Sequence, residues 1–138
     1  MADVVNLRPK ASESEKITIN LGYVDLGQID LLVAEGFYSN RTDLIRTAIR
    51  NQLDRHNDAV KQSVERRHLE LGLRVYDRSE LEAVRAAGET LHIQVLGLVV
   101  IGPDVSPDLA LATITSIEVL GALQASAAVK SALGDRIR

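Results

Sequence analysis

Three polar side chains at alternate positions open the argument. Lys16, Thr18 and Asn20 are interleaved with Ile17, Ile19 and Leu21 in the run Lys16-Ile17-Thr18-Ile19-Asn20-Leu21. A period of two puts the polar set on one face of a strand and the apolar set on the other. The polar face carries an ammonium, a hydroxyl and a carboxamide, and no carboxylate. Such groups can donate to and accept from the edges of bases in a DNA major groove, which a two-stranded ribbon can enter.

One strand of six residues cannot stand alone, so other elements must hold it. No partner strand follows, because the next segment has helical spacing. Leu26, Ile29, Leu32 and Val33 form its apolar stripe, and Gly36 suits the helix C-terminus, where φ is often positive. Ser39 or Asn40 then suits the N-cap of a second helix, with Asp43 in its first turn favouring the dipole. Leu44, Ile45, Ala48, Ile49 and Leu53 make the apolar stripe of that helix, and Arg41, Arg46, Arg50 and Arg55 lie largely off it. About fifty residues in this pattern bury too little alone. The economical solution is two copies whose strands pair antiparallel beneath four helices, with dimerisation as part of folding.

The order of these elements, with the run Gly36-Phe37-Tyr38-Ser39-Asn40-Arg41-Thr42-Asp43-Leu44-Ile45-Arg46-Thr47-Ala48-Ile49, resembles the ribbon-helix-helix DNA-binding family, in particular its CopG-like branch. The resemblance covers roughly residues 15–56. It implies a homodimer that reads bases with the paired strands, here through Lys16, Thr18 and Asn20. It implies phosphate contacts at the start of the second helix, here Asn40, Arg41 and Thr42. The dimer core would hold Ile17, Ile19, Leu21, Ile45 and Ile49. Two positions depart from the family pattern. Gly22 stands where proline is common, which predicts a looser turn, and Asn40 replaces a common serine while keeping a capping side chain.

Beyond this region a thin stripe of Ala59, Val60, Val64 and Leu71 among charges predicts a linker helix over 57–71. The remainder, 72–138, reads as repeated strand and short-helix units. Ile93, Val95, Leu96 and Gly97 match Ile117, Val119, Leu120 and Gly121 at an offset of 24, as Val105 and Leu109 match Val129 and Leu133. Ser106-Pro107 reads as an N-cap followed by proline at the first helical position. A weaker unit, Leu69-Glu70-Leu71-Gly72-Leu73 with Ser79-Glu80-Leu81, precedes them with a shift of one. Such units resemble solenoid repeats such as leucine-rich repeats, without that family's Asn ladder. Repeats of this number have open ends, so this half is expected to be an oligomerisation or regulatory module. The competing reading is a small αβ domain whose repetition is incidental.

The predicted fold class is therefore α+β: a ribbon-helix-helix (βαα) dimer followed by a small αβ repeat-like C-terminal domain. Residues 1–14, containing Arg8 and Lys10, read as a flexible arm, and residues 15–56 as the DNA-binding and dimerisation domain.

Composition narrows the function classes. The chain of 138 residues has no cysteine, so disulfides, thiol catalysis and Cys-ligated metal sites are excluded. His56, His68 and His92 lack metal-pair spacing, and the acidic residues are scattered, so no cofactor, metal site or enzymatic activity is expected. The formal net charge is −3. Its acidity lies in the second half, because residues 1–68 carry ten basic and ten acidic side chains. DNA affinity should accordingly be modest and salt-sensitive. No apolar run is long enough for a membrane span, and no signal core precedes the first motif. The expected protein is a cytoplasmic, nucleoid-associated repressor that binds double-stranded DNA as a homodimer, or a higher oligomer through its C-terminal module. Alternatives are a self-assembling protein whose N-terminal domain only tethers it to DNA, and an antitoxin with a toxin partner, which nothing in the sequence indicates.

Overall fold

The structure is a computed structural model that describes residues 14–138. The expected arm over 1–14 lies outside the described residues except for Ser14. The chain divides into two compact units, residues 14–66 and residues 67–138.

The first unit contains α1 (Tyr23–Ala34), α2 (Arg41–Arg55) and most of α3 (Asn57–Arg67). Gly22 is the N-cap of α1 with φ −64 and ψ 154. That φ is the one a proline ring imposes. Gly36 sits at φ 84 just past the end of α1. The Gly36 amide donates to the Val33 carbonyl at 3.1 Å and the Phe37 amide to the Leu32 carbonyl at 3.0 Å. This double closure is the Schellman motif, and the left-handed residue it needs is the glycine. Residues 16–21 have no regular secondary structure in the single chain. A strand is defined by its ladder, and none of the described residues offers these six a partner.

No residue between 14 and 66 is buried. Ile17 is 72% exposed, Ile19 62% and Phe37 70%. Leu31, Ile49 and Leu53 also lie open. Leu26, Ile29, Val33, Leu44 and Ile45 on the predicted stripes reach only intermediate burial, so the described residues give these stripes partial cover.

The second unit is a βαβαβα arrangement: β1 (Glu70–Tyr76), α4 (Arg78–Ala86), β2 (Leu91–Ile101), α5 (Pro107–Thr113), β3 (Ile114–Gln124) and α6 (Ala127–Leu133), then a 3-10 turn over Gly134–Arg136. The strands form one parallel sheet in the order β1-β2-β3. Alternation along β2 sends Ile93, Val95, Val99 and Ile101 inward, where they join Leu81 of α4, Leu109 of α5, and Val129 and Leu133 of α6 in one aliphatic core. Leu81, Val99 and Ile117 are fully buried there. The start of each helix is fixed by a side-chain cap: Asp77 accepts from the Glu80 amide, Ser106 from Leu109, and Ser126 from Val129. Arg136 donates to the Leu111 and Ile114 carbonyls at 2.8 and 2.9 Å, satisfying acceptors at the end of α5.

Three expectations are corrected here. The linker helix ends at Arg67 rather than Leu71, because His68 takes φ 54 and turns the chain so that Leu69 is buried and Glu70 begins a strand. The repeat module thus starts before residue 72. The 24-residue offset holds for the strands, where Ile93 pairs with Ile117 and Gly97 with Gly121. It does not hold for the helices, whose caps Ser106 and Ser126 are closer together. Residues 102–105 separate β2 from its cap, whereas Ala125 alone separates β3 from its cap. The anticipated shift of one in the first unit is seen as the pairing of Gly72 with Gly97. Repetition is therefore seen in the sheet register and not in the helices.

That glycine row sets the register. Gly72, Gly97 and Gly121 lie side by side at φ 120, 142 and 127. A Cβ on Gly97 would run into the Gly72 carbonyl oxygen, and one on Gly121 into the Gly97 carbonyl oxygen. A Cβ on Gly72 would meet nothing within 4 Å. Gly72→Ala and Gly97→Ala both carry the strain of a left-handed backbone, but Gly97→Ala adds a clash with fixed backbone. Urea unfolding of the two full-length variants should show Gly97→Ala less stable than Gly72→Ala by at least about 1–3 kcal/mol, the usual cost of overpacking. Equal midpoints would contradict the close approach.

Candidate nucleic-acid interface

Lys16, Thr18 and Asn20 are all solvent-exposed, as are Ile17 and Ile19 between them. None of the described residues covers either set.

The start of α2 is built more tightly. Asn40 is its N-cap, with extended backbone, and its side-chain oxygen accepts from the Asp43 amide at 2.8 Å. Asp43 answers by accepting from the Ser39 amide at 3.0 Å. The reciprocal pair fixes the entry of the chain into the helix. Of the two candidates named from sequence, Asn40 caps and Ser39 is the residue bound back. The amides of Arg41 and Thr42, the first two helical residues, have no acceptor within the helix by geometry. They form the positive end of the α2 dipole, which suits an anionic oxygen. The Asp43 carboxylate offsets part of that potential from inside the first turn.

Arg41 is placed differently from the sequence expectation. Its side chain grips Asp30 of α1, with Nε donating to Oδ1 at 2.7 Å and Nη2 to Oδ2 at 2.8 Å. Two parallel bonds between a planar fork and a carboxylate constrain orientation as well as distance. The pair ties the two helices across the Gly36 turn. Both side chains remain about half exposed, at 54% and 50%. Asp30 was not identified from the sequence. The two residues lie in different helices, and only the geometry of the intervening turn brings them together. Arg46 and Arg50 are exposed along α2.

The hydrogen bonds from Arg41, seconded by its charge, hold the Asp30 carboxyl below the ordinary carboxylate range against a smaller opposing effect of burial. A depressed carboxyl favours the folded state above its unfolded value, and the contribution is lost as pH falls through the lowered one. An NMR titration of the Asp30 side chain should therefore show a midpoint below that of a free aspartate, moving upward in Arg41→Ala. An unmoved midpoint in that variant would show that the clamp does not form in solution.

Among the described residues, no helix is long and apolar enough to cross a membrane. No curated protein and no solved structure matches the chain. A family model, that of the Ribbon-Helix-Helix transcriptional regulator family, matches residues 12–130. The match takes in the exposed alternating segment, the capped helix pair and nearly all of the repeat unit. The chain belongs to the ribbon-helix-helix transcriptional regulator family.

Proposed function

We propose that the protein is a sequence-specific DNA-binding repressor that acts as a homodimer. Two copies of residues 16–21 pair antiparallel, and the ribbon so formed enters the major groove. Lys16, Thr18 and Asn20 face the bases, while Ile17, Ile19 and Leu21 close over Ile45 and Ile49 of both copies. The observation that carries this reading is the absence of any buried residue from 14 to 66 in a segment that the family model covers. Such a segment gains a core only by association.

Phosphate contact falls to the start of α2. The Arg41 and Thr42 amides and the Thr42 hydroxyl are the groups best placed for it, with Asn40 shaping the cap. Arg41 contributes its backbone first, since its guanidinium is held by Asp30. These contacts position the ribbon without reading sequence. The neutral charge balance of the first half makes the electrostatic share of binding small, so specificity has to come from the ribbon face.

The test is fluorescence anisotropy of the full-length chain on its own promoter fragment and on a scrambled duplex, across a salt series. Preference of about a thousandfold or more for the promoter is expected of a repressor. Lys16→Ala, Thr18→Ala and Asn20→Ala should each reduce that discrimination by roughly 1–3 kcal/mol and leave the fold intact. Thr42→Ala should weaken binding to both duplexes alike. A triple ribbon variant that discriminates as well as wild type would refute the reading face.

A further inference from the structure

We infer that the outer edge of β3 receives β1 of a second copy of this chain, continuing the parallel sheet in its existing register. The three strands keep one register across the sheet: Leu71, Leu96 and Leu120 align, then Gly72, Gly97 and Gly121, then Leu73, Leu98 and Ala122. At the glycine row, the Gly72 and Gly97 carbonyl oxygens each point toward the next strand, into the space a Cβ there would fill, and the repeat of the same left-handed backbone at Gly121 extends the pattern outward. A strand joining the outer edge of β3 in this register must therefore present a glycine opposite Gly121. Gly97 and Gly121 already have such a carbonyl against them. Gly72 has the same left-handed backbone and an empty space where the neighbouring carbonyl would lie. The β1 edge and the β3 edge are thus complementary halves of the contact that the sheet makes twice internally.

The free length also fits. Ile137 pairs in parallel with Ile117 on the outer side of β3, and the Arg138 amide donates to the Ile117 carbonyl at 2.8 Å. Above that point, Val119–Leu123 have no strand on their outer side among the described residues. β1 pairs with β2 only from Val95 onward, and Val95 aligns with Val119. Residues Glu70–Arg74 of a docked β1 would lie along this stretch without displacing Ile137. Its Glu70 and Arg74, paired at 3.4 Å, would sit beside Val119 and Leu123 as they now sit beside Val95 and Val99. The partly buried Val119, Leu123 and Ala125 at this end of the core would gain cover. The contact joins two different edges, so it is heterologous and leads to a ring or an open array rather than a two-fold pair.

This inference rests on the sheet alone and stands or falls separately from the DNA reading. Its test uses the absence of cysteine from the chain. Within one chain, residues 73 and 122 are two strands apart, about 10 Å from strand spacing. That exceeds the roughly 7 Å limit for a disulfide between Cα positions. In the docked arrangement they become direct neighbours at about 5 Å. Both positions lie outside the aliphatic core. The full-length Leu73→Cys/Ala122→Cys variant should give reducible linked chains on mild oxidation. A mixture of the two single variants should give a linked pair that contains one of each. Linkage no greater than in each single variant alone would overturn the proposal. Sedimentation of the wild-type chain provides an independent check. Growth beyond a dimer as concentration rises is expected, and a species that stops at the dimer over a wide range counts against docking.

Discussion

The controlling constraint is the missing core of residues 14–66. Three helices and an alternating segment carry well-formed apolar stripes, yet not one side chain in this unit is buried. Local interactions account for its shape instead. The Schellman closure at Gly36, the Asn40–Asp43 cap and the Arg41–Asp30 clamp fix how α1 turns into α2. None of these supplies burial, and isolated helices of this length are marginal in water. The stripes must find apolar cover beyond residues 14–66, and the proposed pairing with a second copy provides it while forming a ladder for residues 16–21. Folding, association and DNA reading would then share a single event, because the ribbon that closes the core also displays Lys16, Thr18 and Asn20.

The second unit satisfies the opposite condition. Its aliphatic core is complete between one sheet face and three capped helices. What it leaves open is an edge, together with the exposed apolar side chains of Leu71, Leu73, Val75 and Leu120. The glycine row holds the strands closer than side chains would allow and makes register a matter of steric exclusion. The same exclusion limits what can extend the sheet, since most strands would bring a Cβ against the Gly121 carbonyl. Open edges are hazards in general. Here the requirement for an opposing glycine narrows the hazard toward the chain's own β1.

Much of this was legible in the sequence because the relevant signals are short-range. Helical spacing marked α1 and α2, Gly36 marked the turn between them, and Ser106-Pro107 marked the start of α5. The strand repeat was visible because aligned aliphatic and glycine positions recur at a fixed interval. The misreadings have local causes. The linker helix was carried to Leu71 because Leu71 continued a helical stripe, while the break depends on a left-handed His68 that no composition rule requires. The helix offset was misjudged because loop length changed between repeats and strand register did not. The motif places Arg41 at the start of α2 but does not show its side-chain partner Asp30, which is reached only through the folded turn. Side-chain pairing across a turn is a tertiary fact, and spacing in one chain does not encode it.

The most direct measurement is hydrogen–deuterium exchange of the full-length protein without DNA, followed at the amides of residues 17–21 at high and low protein concentration. If two copies build the ribbon, these amides are protected at high concentration and lose protection on dilution, as a ladder between chains requires. Unprotected exchange at every concentration, with the C-terminal sheet still protected, would contradict the account. The apolar face of the first unit would then have to be covered by something other than its own copy.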